Sequence, residues 1–317
     1  MARGEMMADI LIADIGGTTS RAAFASFGRR PERIVTIAND SVDGPEGLLA
    51  RLLDGAAQRP RAAVLALAGP VSGEEIALTN RNWCVRLPEL SARFGISRIH
   101  AVNDFEALAW ALPLLGPGDL RPIGNAGGVA HGVKLVVGPG TGLGVAALVP
   151  AGSGFHVIAS EAGHSSFGPA FADEEMLFHR LAEKAPVSAE RILSGPGLAA
   201  LHEAMHPGTL RVAPEMIVRQ ACAGERAARA SVMMFVRLLG RFAGDMALTF
   251  RATGGVYIAG GVATGLGPLF DAALFRAAFE RHPPYESMLK ATPTSLITCA
   301  EPGLIGCVAV AERLMKS

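Results

Sequence analysis

The sequence predicts a mixed α/β protein in two domains, and three observations support this prediction. Two glycine-rich loops, at 14–19 and 138–144, each follow a short apolar run of buried-strand length. Strand-like and helix-like segments alternate along the chain, as they do in layered α/β folds. Glycine and proline cluster at 116–118 and 124–128, which marks a boundary between the two loops. Two loops of similar construction indicate two related halves.

Each element follows from local periodicity or from an apolar run. Before the boundary we expect strands at 10–13 and 21–25 around the first loop, a strand at 34–37, a helix at 45–57 with its leucines on one side, buried strands at 62–68 and 99–102, and a helix from 105. After it we expect strands to about residue 158 and a largely helical region to about 250 whose strongest helix is 232–248. A buried strand at 256–259 is followed by Gly260-Gly261 and the segment 266–279, and 302–315 is the last helix.

Composition excludes several function classes. Lysine plus arginine and aspartate plus glutamate both total 29 of the 317 residues, so there is no basic field for nucleic acid. The four cysteines are scattered without metal-ligand spacing, which favours buried thiols in a reducing compartment. Residues 1–9 lack a signal-peptide core, and no apolar run approaches the length of a membrane span. We expect a cytoplasmic protein without a nucleic-acid or membrane partner.

The first loop has the composition of a phosphate site. Paired glycines at 16 and 17 let backbone N–H groups approach phosphate oxygens, and Thr18 and Thr19 add hydroxyl donors. Asp14, at the end of the strand, can hold Mg²⁺ through water, because Mg²⁺ keeps most of its hydration shell. The alternative is an ordinary hairpin turn, which Gly-Gly also favours.

Two common nucleotide motifs are absent. No lysine follows a glycine anywhere in the chain, which excludes the Walker phosphate loop. The second loop, Gly138-Pro-Gly-Thr-Gly-Leu-Gly144, does not complete the Gly-x-Gly-x-x-Gly pattern of dinucleotide sites. Phosphate would therefore be held in a different way.

Carboxylates at two further places are candidates for acid–base work and for binding hydroxyl groups. Asn103-Asp104 lies where a strand gives way to a helix, so Asp104 is either a general base facing a cleft or part of a helix cap. Glu161 and His164 flank a glycine and could bind neighbouring sugar hydroxyls, although a surface turn is the alternative. Glu190 by itself reads as a solvated acid in the first turn of a helix.

These segments occur together and in the order of one family. The chain resembles the proteobacterial-type glucokinases of the hexokinase and actin-like ATPase superfamily. The matching segments are Ala13-Asp-Ile-Gly-Gly-Thr18, Leu78-Thr-Asn80 with Trp83, Asn103-Asp-Phe105, Gly138–Gly144, Glu161-x-Gly-His164, Ser188–Gly197 and Ile258-Ala-Gly-Gly261. The resemblance runs from residue 10 to about 306. It implies a two-domain actin-like ATPase (ribonuclease H-like) fold with an interdomain cleft, and we expect domains of 1–115 plus 302–317 and of 116–301.

The resemblance also implies roles for individual residues. Asp104 would be the catalytic base for the sugar 6-hydroxyl. The sugar would be bound by Thr79, Asn80, Asn103, Asp104, Glu161, His164 and Glu190. The nucleotide would be bound by Ala13, Asp14, Ile15, Gly16, Gly17, Thr18, Gly140, Thr141, Gly142, Gly144, Gly260 and Gly261. The implied ligands are ATP, Mg²⁺ at Asp14 and D-glucose, in a homodimer that carries out the first step of glycolysis.

Two departures and three alternatives accompany the resemblance. The related repressor-and-sugar-kinase family has a cysteine-rich zinc motif after Glu-x-Gly-His, whereas residues 165–169 contain no cysteine, so we expect no zinc. Arg81-Asn82-Trp83 and Ser160 vary the usual pattern, which bears on sugar specificity. A kinase for another hexose or an N-acetylated amino sugar is one alternative. A sugar-sensing regulator is another, but it needs a DNA-binding module, and only about nine residues precede the first strand. A catalytically inactive sugar-binding protein is disfavoured by the presence of Asp104.

Overall fold

A computed structural model describes residues 10–54, 59–78, 81–124, 127–208 and 210–316. The chain forms two compact units: unit 1 contains the chain up to Leu115 and again from Ala300, and unit 2 is Gly116–Cys299. Residues 300 and 301, which we expected in the second domain, belong to unit 1. There the Arg21 Nε donates to Glu301 Oε1 at 2.9 Å.

Unit 1 is built on a sheet with helices on both faces. Its strands are β1 Ile10–Ile15, β2 Thr19–Ala25, β3 Val35–Ala38, β4 Ala62–Leu67, β5 Glu75–Ala77, β6 Cys84–Arg86 and β7 Arg98–Asn103. Its helices are α1 Gly44–Leu53, α2 Leu87–Phe94, α3 Asp104–Ala111 and the C-terminal helix Pro302–Lys316, with 3-10 turns at Asn39–Ser41 and Leu112–Leu114. Within the described residues the main sheet has five strands in the order β3-β2-β1-β4-β7, and β5 pairs with β6.

The apolar run of β1 is continuous because both faces of this strand are buried. Leu11, Ala13 and Ile15 pack into one core with leucines of α1 and α2. Ile10 and Ile12 pack into a second core with α3 and the C-terminal helix. Burial of each such side chain contributes about 1.5–3 kcal/mol, so β1 anchors both layers of unit 1.

Unit 2 is larger and richer in helix. Its strands are β8 Leu120–Ile123, β9 Lys134–Pro139, β10 Leu143–Ala151, β11 Gly154–Ser160, β12 Gly255–Ile258 and β13 Thr294–Ile297. Its helices are α4 Ala172–Ala182, α5 Gly195–Met205, α6 Pro214–Cys222, α7 Arg226–Phe250, α8 Gly261–Gly265, α9 Ala272–Glu280 and α10 Glu286–Ala291, with 3-10 turns at Pro117–Asp119, Ala162–His164 and Gly267–Leu269. In the described part of unit 2 the strand order is β11-β10-β9-β12-β13-β8.

The two sheets repeat one topology. In unit 1 the β1 strand is antiparallel to β2 and parallel to β4, which is parallel to β7. In unit 2 the β9 strand is antiparallel to β10 and parallel to β12, which is parallel to β13. Each glycine-rich loop therefore joins the two antiparallel strands that begin this shared pattern, β1 and β2 in unit 1 and β9 and β10 in unit 2. The two related halves that the loops predicted are present, and β8 is an addition at one edge of the second.

One segment named from the sequence is divided in the structure, and several short elements were not predicted. Residues 266–279 do not form one element, because Gly267 has φ +53° and Pro268 follows it. The Asp271 side chain then starts α9 by accepting a hydrogen bond from the Leu274 N–H at 2.9 Å. The sequence analysis did not identify β5, β6, α2, β8, α10 or β13. None of the helices in the described ranges has the length and apolarity to cross a membrane.

Candidate functional site

The first glycine-rich loop is a tight turn between β1 and β2. The Gly16 N–H donates to the Thr19 carbonyl at 3.2 Å, and a Cβ at Gly16 would lie 3.1 Å from that oxygen. Ala13 and Ile15 are buried in the core, whereas Thr18 is exposed. Of the predicted phosphate-binding residues, Ala13 and Ile15 therefore support the loop, while Gly16, Gly17 and Thr18 form the turn itself.

A buried asparagine that the sequence analysis did not single out holds this loop in place. Asn39 is fully buried, and its Nδ2 donates to the Gly16 carbonyl at 2.7 Å. Its Oδ1 accepts from the Ser20 hydroxyl at 2.7 Å, and its backbone N–H donates to the Thr18 carbonyl at 2.9 Å. An asparagine after a short strand is normally assigned to a turn, so only the tertiary contact reveals this role.

Arg81 makes a second contact with the loop. Its Nη1 donates to the Gly17 carbonyl at 3.2 Å, and its Nη2 donates to Asp40 Oδ1 at 2.6 Å. The guanidinium lies over the Trp83 ring, 4.6 Å from the ring centroid. The predicted sugar residues Thr79 and Asn80 lie outside the described residues.

Asp14 occupies an environment that disfavours its charge. Burial raises the pKa of its carboxyl to about 6; Arg21 lowers this pKa and Glu301 raises it. Gly303, in the first turn of the C-terminal helix, leaves room for this carboxylate, because a Cβ there would lie 3.4 Å from Oδ2. A bound cation would stabilise the ionised form, so the residue fits the predicted Mg²⁺ role. No group of three His, Cys, Asp or Glu side chains that could hold a metal occurs among the described residues. A magnesium ion that accompanies a nucleotide does not need such a group.

Asn103 and Asp104 lie where β7 ends and α3 begins. Asn103 caps α3, because its Oδ1 accepts from the N–H groups of Phe105 at 2.9 Å and Glu106 at 3.2 Å. Its Nδ2 donates to the Gly69 carbonyl at 3.0 Å, which ties the end of β7 to the chain beyond β4. Asp104 is the first residue of α3, and its Oδ1 accepts from the Phe105 N–H at 2.9 Å. The capping interpretation is correct for Asn103, and the cap leaves Asp104 in the first turn of the helix.

Strand register brings the first loop and Asp104 to one edge of the unit 1 sheet. Ile15 is aligned with Leu67, and Leu67 is aligned with Asn103, in three parallel strands. Adjacent strands are about 4.8 Å apart, so the ends of β1 and β7 are separated by about 10 Å. Ligands of open α/β sheets bind beyond the carboxyl ends of parallel strands. Unit 1 therefore presents a phosphate-type loop and a carboxylate at the edge where a ligand would bind.

In unit 2 the second loop is held by the segment before α5. The Gly140 carbonyl accepts from the Gly195 N–H at 2.8 Å, and the Gly140 N–H donates to the Gly142 carbonyl at 2.8 Å. Thr141 is exposed at the tip of the loop. Gly144 is paired with Gly138 inside the sheet, so it belongs to β10 rather than to the turn.

The structure brings Glu190 beside the turn that carries Glu161 and His164, although Glu190 lies well beyond that turn in the sequence. The His164 N–H donates to the Glu161 carbonyl at 2.9 Å, within the 3-10 turn. The His164 Nδ1 lies 3.8 Å from Glu190 Oε1, and the Glu190 N–H donates to the Gly163 carbonyl at 2.8 Å. A Cβ at Gly163 would lie 2.0 Å from the Leu143 carbonyl oxygen, so only glycine fits between this turn and β10.

Gly260 and Gly261 lie beyond the end of β12, beside the start of the second loop. Gly260 has φ +89°, and a Cβ there would lie 2.3 Å from the Pro139 carbonyl oxygen. Both the left-handed backbone conformation and this close approach therefore exclude a side chain. A Cβ at Gly261, the first residue of α8, would meet nothing within 4 Å. Close packing against the second loop therefore explains why residue 260 is a glycine, whereas the space around Gly261 is open.

A cavity of about 700 Å³ adjoins the second loop within unit 2. Its lining includes Thr141 and Glu190, together with residues that the sequence analysis did not identify: Arg180, Lys184, Ser194 and Arg211. Lys184 is paired with Glu203 at 2.7 Å. The volume lies in the range of small-molecule pockets. Residues from α4 and α5 line this cavity. Residues at helical spacing indicate only that a helix packs on its neighbours, so the sequence did not reveal a pocket here.

Comparison with known proteins agrees with this geometry. The family model described as glucokinase matches residues 11–314. A glucokinase of Chelativorans sp. (strain BNC1) is 39% identical over 311 residues, which cover 96% of this chain and 91% of the relative.

Solved structures give the same result. A glucokinase from an Antarctic psychrotroph superposes with a TM-score of 0.88 at 29% identity, covering 97% of this chain and all of that one. A Balamuthia mandrillaris glucokinase, solved in complex with glucose, has a TM-score of 0.79 at 25% identity, covering 96% and 93% of the two chains. The predicted actin-like ATPase fold class is confirmed. The chain belongs to the glucokinase family.

Proposed function

We propose that this protein transfers the γ-phosphoryl group of ATP to the 6-hydroxyl of D-glucose. The observation that carries the proposal is the alignment of the ends of β1 and β7, which sets the loop after Asp14 and the carboxylate of Asp104 at one sheet edge. Membership of the glucokinase family supports this reaction. The glucose complex of the Balamuthia mandrillaris relative supports the choice of sugar.

Asp104 is the general base of the proposed reaction. It is the first residue of α3, directly after the Asn103 cap. The carboxylate accepts the proton of the 6-hydroxyl while the sugar oxygen bonds to the γ-phosphorus and the bond to the β-phosphate oxygen breaks. ADP and glucose 6-phosphate are the products. In such reactions positioning and charge neutralisation supply most of the rate enhancement.

The remaining sugar hydroxyls are assigned to Thr79, Asn80, Asn103, Glu161, His164 and Glu190. Asn103 has already used its amide oxygen on the α3 N–H groups and one amide hydrogen on Gly69. One amide hydrogen is left to donate to a hydroxyl, so Asn103 acts in this proposal as a donor only. Several fixed acceptors discriminate between epimers, because a buried acceptor without a partner loses binding energy.

The nucleotide is assigned to the two loops. Gly16, Gly17 and Thr18 in unit 1 and Gly140, Thr141, Gly142 and Gly144 in unit 2 bind phosphate, and Gly260 and Gly261 lie under adenosine. Asp14 would hold Mg²⁺ through water, and a magnesium ion bound there would supply charge neutralisation for phosphoryl transfer. We further propose a cytoplasmic homodimer that acts at the first step of glycolysis without a zinc ion. Neutral net charge supports the absence of a nucleic-acid partner.

The decisive experiment is Asp104→Asn in an assay that couples ADP release to a colour change. We expect turnover to fall by about 10³-fold or more, with glucose binding retained, because the amide keeps the shape but cannot accept the proton. Glu106→Gln, which removes another acid from the first turn of α3, is the matched control and should retain turnover. Full activity of Asp104→Asn would remove this residue from the base role.

A panel of sugars tests the substrate. Glucose, other hexoses and N-acetylglucosamine are compared by kcat/KM in the same assay. Weak turnover of glucose beside strong turnover of another sugar would reassign the specificity. Retention of DNA at physiological salt would favour the regulator instead.

A further inference from the structure

The segment 188–195 contacts both the second loop and the turn that carries His164. Toward the turn, the N–H groups of Ala189 and Glu190 donate to the carbonyls of Ser165 at 3.0 Å and Gly163 at 2.8 Å. Toward the loop, the Gly195 N–H donates to the Gly140 carbonyl. One short stretch of backbone therefore joins the group assigned to the sugar and the loop assigned to phosphate.

The Glu190 side chain makes the same connection with its two oxygens. Its Oε2 accepts from the Leu143 N–H, at the loop end of β10, at 2.9 Å. Its Oε1 points toward His164 Nδ1 at 3.8 Å, and about a third of the side chain is exposed. A carboxylate accepts several hydrogen bonds, so Oε1 can receive a sugar hydroxyl while Oε2 holds the loop.

The absence of a side chain at Gly142 leaves room for this carboxylate. A Cβ at Gly142 would lie 2.5 Å from Glu190 Oε2, whereas a Cβ at Gly140, two residues earlier in the same loop, would meet nothing within 4 Å. The space beside the second loop is thus occupied by the end of a side chain that we assign to the sugar.

We infer that Glu190 is a positioning residue that couples the two substrates, so that glucose and nucleotide bind with positive cooperativity. The inference rests on the proposed function for the identity of both ligands. A sugar hydroxyl donating to Oε1 restricts rotation of the carboxylate and so fixes the acceptor that holds the Leu143 N–H. By linkage, a nucleotide that orders the loop stabilises the carboxylate for the sugar by the same factor.

The sharpest test alters the phosphate loop and measures the sugar. Gly142→Ala should push the Glu190 carboxylate aside and weaken glucose binding by about fivefold or more in titration calorimetry without nucleotide, a typical size for coupling between sites. Gly265→Ala, in α8 of the same unit, is the control, and its glucose affinity should stay within twofold of the unmodified protein, since its methyl group would also meet nothing. Equal glucose affinities for the two variants would overturn the inference.

A second test measures the coupling itself. The affinity for a non-hydrolysable ATP analogue is compared with and without saturating glucose. We expect glucose to tighten it about tenfold in the unmodified protein and in Glu161→Ala, which loses a sugar contact but none to the loop. In Glu190→Ala the ratio should fall to about one. A tenfold ratio in Glu190→Ala would refute the role of this side chain.

Hydrogen exchange separates this inference from the proposed function. In the sugar-free protein the Leu143 amide should exchange faster in Glu190→Ala than in either the unmodified protein or Glu161→Ala, because only that variant lacks the acceptor. Unchanged Leu143 exchange would refute the link even if glucose is the substrate. If the unmodified protein failed to bind glucose, the proposed function would be refuted. The inferred coupling between glucose and the nucleotide loop would be refuted with it.

Discussion

Replacing Asn39 by alanine should destabilise unit 1 and loosen the first glycine-rich loop together. The side chain is fully buried and makes two hydrogen bonds of 2.7 Å, to the Gly16 carbonyl and from the Ser20 hydroxyl. Each bond contributes about 1 kcal/mol net, and the buried Ser20 hydroxyl left without an acceptor costs about 1–3 kcal/mol more. We therefore expect Asn39→Ala to lower the free energy of unfolding by about 3–5 kcal/mol.

Urea unfolding followed by circular dichroism measures this loss, and the KM for ATP reports the loop. Ser20→Ala, which removes the hydroxyl that Asn39→Ala would leave unpaired, should cost less than Asn39→Ala. The double variant should be no less stable than Asn39→Ala, because the two residues share one bond. Ser41→Ala, in the same 3-10 turn but exposed, is the control and should change stability by less than about 0.5 kcal/mol. Strict additivity of the Ser20 and Asn39 effects, or an unchanged KM for ATP, would refute the reasoning.

Three further predictions follow from buried contacts. Because burial raises the pKa of Asp14 from 3.8 to about 6, the nucleotide-free protein should lose stability as pH rises from about 4 to 6. Asp14→Asn should abolish that loss in urea unfolding at pH 4 and 7, and a pH dependence equal to that of the unmodified protein would contradict the assignment. Gly306→Ala should cost about 1–3 kcal/mol and reduce kcat, because its Cβ would press on the backbone of α3. Gly303→Ala, with a contact of 3.4 Å, should cost less, and equal effects on the melting temperature would argue against this packing. Glu174→Gln should lower the free energy of unfolding by about 3 kcal/mol, because this fully buried carboxylate neutralises Arg237 and Arg241. A loss below about 1 kcal/mol would show that these arginines do not depend on it.

The sequence predicted the elements with a strong apolar pattern, either a continuous apolar run or apolar residues at helical spacing. The apolar runs of β1, β4, β9 and β12 were recognised because each strand is buried, so nearly every residue must be apolar. Short elements such as β5 and β6 were not found, because three residues carry too little periodicity. The segment 266–279 is divided, because the chain breaks at Gly267 and the Asp271 side chain caps a helix that begins at Ala272.

The residues of the candidate site also fall into those that the sequence could identify and those that it could not. The glycine loops and the Asn103-Asp104 junction are local in the chain, so the sequence identified them and the resemblance assigned them roles. Residues that act through distant contacts were missed. Asn39 and Arg81 reach the first loop from other turns, and an asparagine or arginine in a turn has no distinguishing local pattern.

The sequence by itself determined the fold class, the family and the chemical types available for the reaction, because these depend on local apolar patterning and on motifs contiguous in the chain. Only the tertiary structure decided which groups meet. It aligned the ends of β1 and β7 through strand register, and it set Glu190 between the turn at His164 and the loop at Gly142. Such contacts join residues far apart along the chain, and the packing of strands and helices, rather than any local preference, brings them within hydrogen-bonding distance.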